Sequence, residues 1–509
     1  MKSRLLYLPL LSLAFLFACA SSPSKSVEPS IPEVTSEQTT SKTTSVTSET
    51  ETTSSKEETT SQQALDYSRD PRDESLVGNQ KYLDYIGGID DVWEHYRGDG
   101  VTIAVIDTDF DVTHSEFFYE NGRSKILESS ASFVSSAGKV TKTVGRDKMT
   151  YGGQSHGTFC AAMAAASVTG QGTVGVAPNA DLLLLKTDAR PLSICEAFRY
   201  AAEEGAKVIT ISIGSYADGI GDLDRQGADL TTVFEEAVGY AYQKGCVICS
   251  AGGNGGEDGR PTEYTYPGAT THVIGCGGLA DESRNALWSG SSYNSSPAYQ
   301  FIDVCAPAHN LYNACSYTNQ GQTYLYDGGW NGTSFASPQV AGAAALYFQK
   351  NPNATNADFE RDLYASCDKV DPVAKTGYGA LDVARLLGLE QKQKTIYFQD
   401  ASWWRADGAR SSLFAWNQAG TLGNADFPGV TMDKVSTGLW KATVDGSKFD
   451  FLLFARVGSG DLSDWGAKTM DLPVCAFSKK RKLYTISSTS ASWISEGKTV
   501  KGSFSHYGA

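Results

Sequence analysis

Residues 101–111 read Val-Thr-Ile-Ala-Val-Ile-Asp-Thr-Asp-Phe-Asp. The stretch 101–106 is almost continuously apolar and of strand length, the pattern of a strand covered on both faces in a parallel sheet. It stops at Asp107, and open α/β sheets place their sites at the carboxyl ends of strands. Similar apolar runs follow at 181–186 (Asp-Leu-Leu-Leu-Leu-Lys), 208–213 (Val-Ile-Thr-Ile-Ser-Ile) and 246–251 (Cys-Val-Ile-Cys-Ser-Ala), with helical spacing at 193–206 and 230–244. Alternating strands and helices imply βαβ units with right-handed crossovers. The expected fold class is α/β, a mainly parallel sheet with helices on both faces.

Two further segments put a reactive group beside an apolar element: Ser-His-Gly-Thr at 155–158 and Asn-Gly-Thr-Ser-Phe-Ala-Ser-Pro at 331–338. Both lead into runs of small and helix-forming residues. Alone, each has a structural explanation: a helix cap, a small-residue turn and, for Asp107, a strand that ends in Asp. Together and in order they supply a carboxylate (Asp107), an imidazole (His156) and a hydroxyl (Ser334). Serine is a poor nucleophile until a base takes its proton; imidazole is such a base near neutral pH, and a buried carboxylate fixes its tautomer. A nucleophile at a helix start also meets free backbone N–H groups and the positive end of the dipole. Of six histidines, only His156 heads a helix with Gly-Thr behind it.

The segments resemble the three signatures of the subtilisin-like serine proteases (subtilases). The resemblance implies a triad of Asp107, His156 and Ser334. It implies that Ser212, Ile213 and Gly214 pair with the substrate backbone, and that Ala251, Gly252 and Gly253 line its pocket. Asn254 would share the oxyanion hole with the Ser334 backbone N–H. Gly252-Gly253 and Gly255-Gly256 would leave an open pocket wall. His114 is expected to be a packing neighbour of the site. Asp109 stands where the family usually has Gly, and Phe335 where it has Met; Asp109 would shift the titration of Asp107 or bind a cation, with calcium the possible cofactor. No zinc-type Cys/His spacing is present, so no metal ligand is assigned. Residues 81–96 resemble the opening helix of mature subtilases, and Gly377 to Asp382 the closing motif, which bounds the peptidase domain at about 75–390. Polar, Gly-rich stretches at 119–150 and 216–230 are expected to be surface loops.

The ends of the chain have other textures. Met-Lys-Ser-Arg, an apolar run at 5–17 and Leu-Phe-Ala-Cys resemble a bacterial lipoprotein signal, residues 1–19, with Cys19 as the lipidated residue; the alternative is an ordinary secretory signal cut near Ala20. The apolar run is too short to span a bilayer. Residues 20–63 are Ser, Thr, Glu and Lys with almost no aliphatic side chain, a composition that cannot bury enough surface to fold and is expected to form a flexible stalk. No folded pro-domain fits in this space. After residue 394, short apolar or alternating runs separated by turn residues predict an all-β sandwich over 395–509. Tyr397-Phe398, Trp403-Trp404, Ala415-Trp416-Asn417, Phe427-Pro428-Gly429, Trp440-Lys441 and Thr469 resemble, more weakly, starch-binding modules of bacterial amylases. Trp403, Trp404 and Trp416 would stack on sugar rings, making polysaccharide a possible partner, or else form the core.

The net charge of −15 argues against a nucleic-acid partner. Of ten cysteines, Cys160, Cys246, Cys249, Cys276 and Cys305 fall inside apolar elements and read as small buried hydrophobes. The expected protein is a serine endopeptidase, extracytoplasmic and lipid-anchored to a bacterial membrane surface, acting on proteins or peptides. The alternative is a non-catalytic, carbohydrate-binding surface lipoprotein with an inactive subtilase domain.

Overall fold

The computed structural model describes residues 67–216, 230–370, 373–460, 465–487 and 499–507. Cys19, the signal segment, the 20–63 stalk and most of the 216–230 stretch lie outside the described residues.

A sheet of nine strands organises the first part. They are Thr102–Asp107 (β1), Ala131–Ser136 (β2), Lys139–Val144 (β3), Asp181–Thr187 (β4), Val208–Ile211 (β5), Val247–Ala251 (β6), Ile274–Leu279 (β7), Val304–Pro307 (β8) and Gly379–Ala380 (β9). Their order is β9-β8-β7-β6-β5-β1-β4-β2-β3, and only the edge strand β3 runs antiparallel to its neighbour. The longer helices are His156–Ala165 (α1), Pro191–Glu203 (α2), Leu230–Gln243 (α3), Ala336–Lys350 (α4) and Asn356–Ser366 (α5). Alternation along the strands serves both faces. Ile103, Val105, Leu182 and Leu184 join the core with α1 and α4. Ala104, Ile106, Leu183 and Leu185 join the other with α2 and α3. Both faces need apolar cover, which is why 101–106 has no polar face.

Two local expectations are corrected. Residues 119–150 are not merely a surface loop: they carry β2 and β3, and Ala131 and Phe133 of β2 are fully buried beside β4. The 81–96 stretch is not one helix. It forms a 3₁₀ turn, Lys81–Asp84, then a short helix, Ile89–Trp93. Gly87 and Gly88 intervene at φ of 85° and 59°, and a Cβ on Gly87 would lie 2.6 Å from the Asp382 Cγ. Glycine adopts that backbone without a Cβ clash, and the helix breaks there.

The C-terminal part has two sheets. One has the order Asp433–Ser436, Leu439–Asp445, Gln393–Gln399, Leu483–Ile486, Gly502–Ser505. The other contains Val430–Thr431, Arg410–Trp416, Phe451–Val457, Trp465–Thr469 and Thr499–Val500. Ile396 and Phe398 of the first share a core with Leu413, Leu452 and Phe454 of the second, and the Phe398 and Phe454 rings stack with centroids 4.3 Å apart. Trp403 and Trp404 belong to this core, at 8% and 0% exposure, so they cannot stack on a sugar. Trp416 is half-buried, stacked beside Phe414.

The sandwich is held to the α/β part by buried charge. Arg481 makes a two-pronged contact with Asp84, one prong at 3.0 Å, and Arg72 reaches the same carboxylate at 3.0 Å and Asp90 at 2.5 Å. Asp91 accepts from the Lys479 N–H at 3.0 Å and from the Gln391 amide at 2.6 Å. Burial alone would raise the Asp84 carboxyl, but Arg481 and Arg72 outweigh it and hold it below its ordinary value. A depressed carboxylate adds stability that is present at neutral pH and lost as pH falls through its folded pKa. Asp84→Ala is expected to cost about 3–5 kcal/mol, the range for breaking a buried pair, whereas Glu94→Ala, which removes a more exposed contact with Lys480, should cost under about 1 kcal/mol. Denaturant midpoints at pH 7 check both.

Candidate active site

Asp107, at the end of β1, is 0% exposed. Its Oδ1 accepts from the Thr108 N–H at 2.7 Å and the Thr108 hydroxyl at 3.3 Å. Its Oδ2 lies 2.9 Å from Nδ1 of His156, the first residue of α1. Facing a carboxylate, Nδ1 carries the ring proton, which leaves Nε2 as the basic nitrogen. The residues behind the histidine explain this approach. A Cβ on Gly157 would lie 2.9 Å from the Asp107 Cβ and closer still to the Asp109 carbonyl oxygen; only glycine lets the helix start against the strand end. Thr158 accepts from the Asp111 N–H at 2.9 Å and fastens the turn after β1 to the same helix.

Ser334 sits in a 3₁₀ turn, Thr333–Phe335, immediately before α4 rather than in its first α-helical position. Its hydroxyl donates to the Ser212 carbonyl oxygen at 3.1 Å, so transfer of its proton to an imidazole requires the hydroxyl to swing away from Ser212. Catalytic hydrogen bonds often tighten only with substrate bound. The Ser334 carbonyl oxygen accepts from the Ser212 hydroxyl at 2.7 Å and the Cys160 thiol at 3.5 Å. The Phe335 ring lies 5.7 Å from His156 and 4.6 Å from Phe159, centroid to centroid.

Asn254 follows β6. Its Oδ1 accepts from the Thr333 N–H and the Thr333 hydroxyl, both at 3.0 Å, and that hydroxyl accepts from the Gly253 N–H at 3.0 Å. Two donors on the oxygen fix which way the amide faces, leaving its NH₂ to donate beside the Ser334 turn. Ser212, Ile213 and Gly214 follow β5, and Ala251, Gly252 and Gly253 follow or end β6, so both substrate-segment candidates lie at carboxyl ends of the sheet. The glycines have a second, packing requirement. A Cβ on Gly252 would lie 2.9 Å from the Cys276 carbonyl oxygen, and one on Gly253, 2.9 Å from the Ser292 hydroxyl. On Gly255 it would meet the same hydroxyl at 2.8 Å, and on Gly256 the Gly290 carbonyl carbon at 2.8 Å. Glycine is needed there by what packs behind the segment.

Asp109 is corrected as well. Its carboxylate takes the Lys186 ammonium at 2.7 Å and the N–H groups of Gly152 and Gln154 at 2.6 and 3.0 Å. It anchors the loop that leads into His156, and Lys186 already supplies the cation. His114 has the expected packing role: its Nε2 lies 3.0 Å from the Leu325 carbonyl oxygen and its Nδ1 accepts from the Glu116 N–H at 3.2 Å. The sequence reading missed Lys186, Thr333 and the setting of Cys160. The i+4 spacing of Cys160 from His156 was the available signal, since it places both on one helix face. The nine described cysteines are all free.

A carboxylate-held imidazole next to a serine at a helix start is the apparatus of a serine hydrolase. Residues 98–380 match the Subtilase family, and the chain belongs to it. It is a subtilisin-like serine protease. It is 29% identical to subtilisin DY of Bacillus licheniformis over 293 residues, 57% of this chain and 91% of that protein. It is 31% identical to an intracellular serine protease of Paenibacillus polymyxa over 278 residues, 53% and 72% of the two chains. The solved epidermin leader peptide processing serine protease of Staphylococcus aureus shares the fold, with a TM-score of 0.50 at 21% identity, covering 64% of this chain and 84% of that one.

Burial alone would depress the His156 imidazole, but the Asp107 carboxylate outweighs it and holds the ring well above its ordinary value of 6.5. A base must be neutral to act, so kcat/KM should climb with pH along a limb lying above 6.5. In Asp107→Asn that limb should move to lower pH and kcat should fall by about 10⁴-fold; a pH–rate profile of both proteins checks this.

Proposed function

We propose that the protein is a surface-anchored serine endopeptidase working through Asp107, His156 and Ser334. The Ser334 Oγ attacks the scissile carbonyl carbon while Nε2 of His156 takes its proton. The resulting imidazolium is steadied by Asp107, and its proton then passes to the leaving amine. Water repeats the sequence on the acyl-enzyme. The Asn254 NH₂ and the Ser334 N–H hold the oxyanion, each such donor being worth about 100- to 1,000-fold in turnover. Ser212 to Gly214 align the peptide as an added strand, with Ala251, Gly252 and Gly253 across from them.

The observation that carries this reading is the 2.9 Å Asp107–His156 contact beside the Ser334 turn. It also weighs against the alternative of a carbohydrate-binding lipoprotein with a dead peptidase domain, which would have no need of the pair. With Trp403 and Trp404 in the core, a polysaccharide partner is assigned to the Trp416 and Phe414 face or to none.

Attachment rests on the sequence: a charged, apolar, small-residue-Cys start followed by a polar tether. Among the described residues no helix is long and apolar enough to cross a membrane. Lipid on Cys19 would hold the body at the outer face of a bacterial membrane, since two acyl chains suffice for stable anchoring.

Ser334→Ala should abolish labelling by a fluorophosphonate and leave under about a thousandth of the peptidase activity; residual activity well above that rejects Ser334 as nucleophile. Cys19→Ala should move the protein from the membrane fraction to the soluble fraction of an expressing bacterium. Unchanged detergent partitioning rejects the anchor.

A further inference from the structure

We propose that Asp107, His156 and Cys160 together form a binding site for a divalent cation of the zinc class, through which such a cation reversibly switches the enzyme off. The proposal rests on the reading of His156 as the base. Cys160 lies one helical turn beyond His156 on α1, and its Sγ is 4.0 Å from Nδ1, the nitrogen that faces Asp107 at 2.9 Å. One donor atom from each of the three residues falls within 4.8 Å of the others, and no other such grouping of three occurs among the described residues. Tetrahedral zinc, with bonds of about 2.3 Å to sulfur and about 2.0–2.1 Å to nitrogen or oxygen, would set these donors roughly 3.3–3.6 Å apart. Against those separations the oxygen–nitrogen gap would open, and the sulfur–nitrogen gap close, by roughly half an ångström each.

The donor set selects the ion. Thiolate, imidazole and carboxylate suit zinc or cadmium, whereas calcium and magnesium prefer all-oxygen shells. The thiol is also dispensable where it stands. The Ser334 carbonyl oxygen that it touches at 3.5 Å already accepts from the Ser212 hydroxyl at 2.7 Å, so removing the thiol proton leaves no acceptor orphaned. Three protein ligands leave the fourth position to water.

The protons balance simply. The Cys160 S–H bond breaks and its proton goes to solvent as the sulfur–metal bond forms. Nδ1 gives up its proton to coordinate, and Nε2 gains one, so the ring stays neutral. Asp107 turns from accepting the Nδ1–H to binding the metal, and one proton is released per cation. The ring then presents Nε2–H to Ser334 and can no longer accept its proton.

The test uses the purified full-length protein. Zinc should inhibit peptide hydrolysis and a chelator should restore it, while calcium and magnesium do neither. In Cys160→Ser the zinc needed for half-inhibition, taken relative to that variant's own uninhibited rate, should rise at least about ten-fold. Cadmium should give a sulfur-to-metal charge-transfer band in the wild type and in Ser334→Ala that Cys160→Ser lacks, and His156→Ala should weaken cadmium binding at least about ten-fold. Equal zinc sensitivity of wild type and Cys160→Ser, or no difference in the cadmium band, overturns the site while the peptidase reading stands. If no form hydrolyses peptide, the cadmium band still decides the metal site, and it is the peptidase reading that has failed. Should Cys160→Ser not fold, Cys160→Ala and His156→Ala carry the same comparison.

Discussion

The carboxylate of Asp107 is wholly buried, and a buried charge persists only where hydrogen bonds replace its lost water. Three donors meet it: the Thr108 N–H, the Thr108 hydroxyl and Nδ1 of His156. Much of the local architecture follows from supplying them. Helix α1 has to begin against the end of β1, so the residue after His156 has no room for a Cβ. The loop before His156 has to be pinned, and Asp109 pins it through two backbone N–H groups. The turn carrying Ser334 is in turn tied to Asn254 through Thr333, which orients the amide.

The same electrostatic rule operates at two other buried carboxylates with a different outcome. Asp109 is neutralised by Lys186, and Asp84 by Arg481 and Arg72. Those partners are an ammonium and two guanidinium groups, and the pairs hold the loop and the sandwich in place. The partner of Asp107 is an imidazole, which gains and loses a proton under ordinary conditions. That difference in partner chemistry separates Asp107 from Asp109 and Asp84, although all three are buried ion pairs or their near equivalents.

The sequence by itself determined the parallel sheet, because a doubly covered strand must be apolar at successive positions, and 101–106, 181–186 and 208–213 record that directly. It also singled out the carboxylate, imidazole and hydroxyl, because the signals for each are local: a strand end for Asp107, a helix start with Gly157 behind it for His156, and the Gly332-Thr333 approach to a helix for Ser334. Long-range packing decided the rest. That Gly252 and Gly253 have no room for a side chain depends on Cys276 and Ser292, which are distant in the chain. Whether Trp403 and Trp404 bind sugar or fill a sandwich depends on the opposite sheet. That Asp109 meets Lys186, and that the Cys160 sulfur stands beside an imidazole nitrogen, depends on which elements tertiary folding sets side by side, since a side chain's partner is chosen by three-dimensional neighbours and not by spacing along the chain.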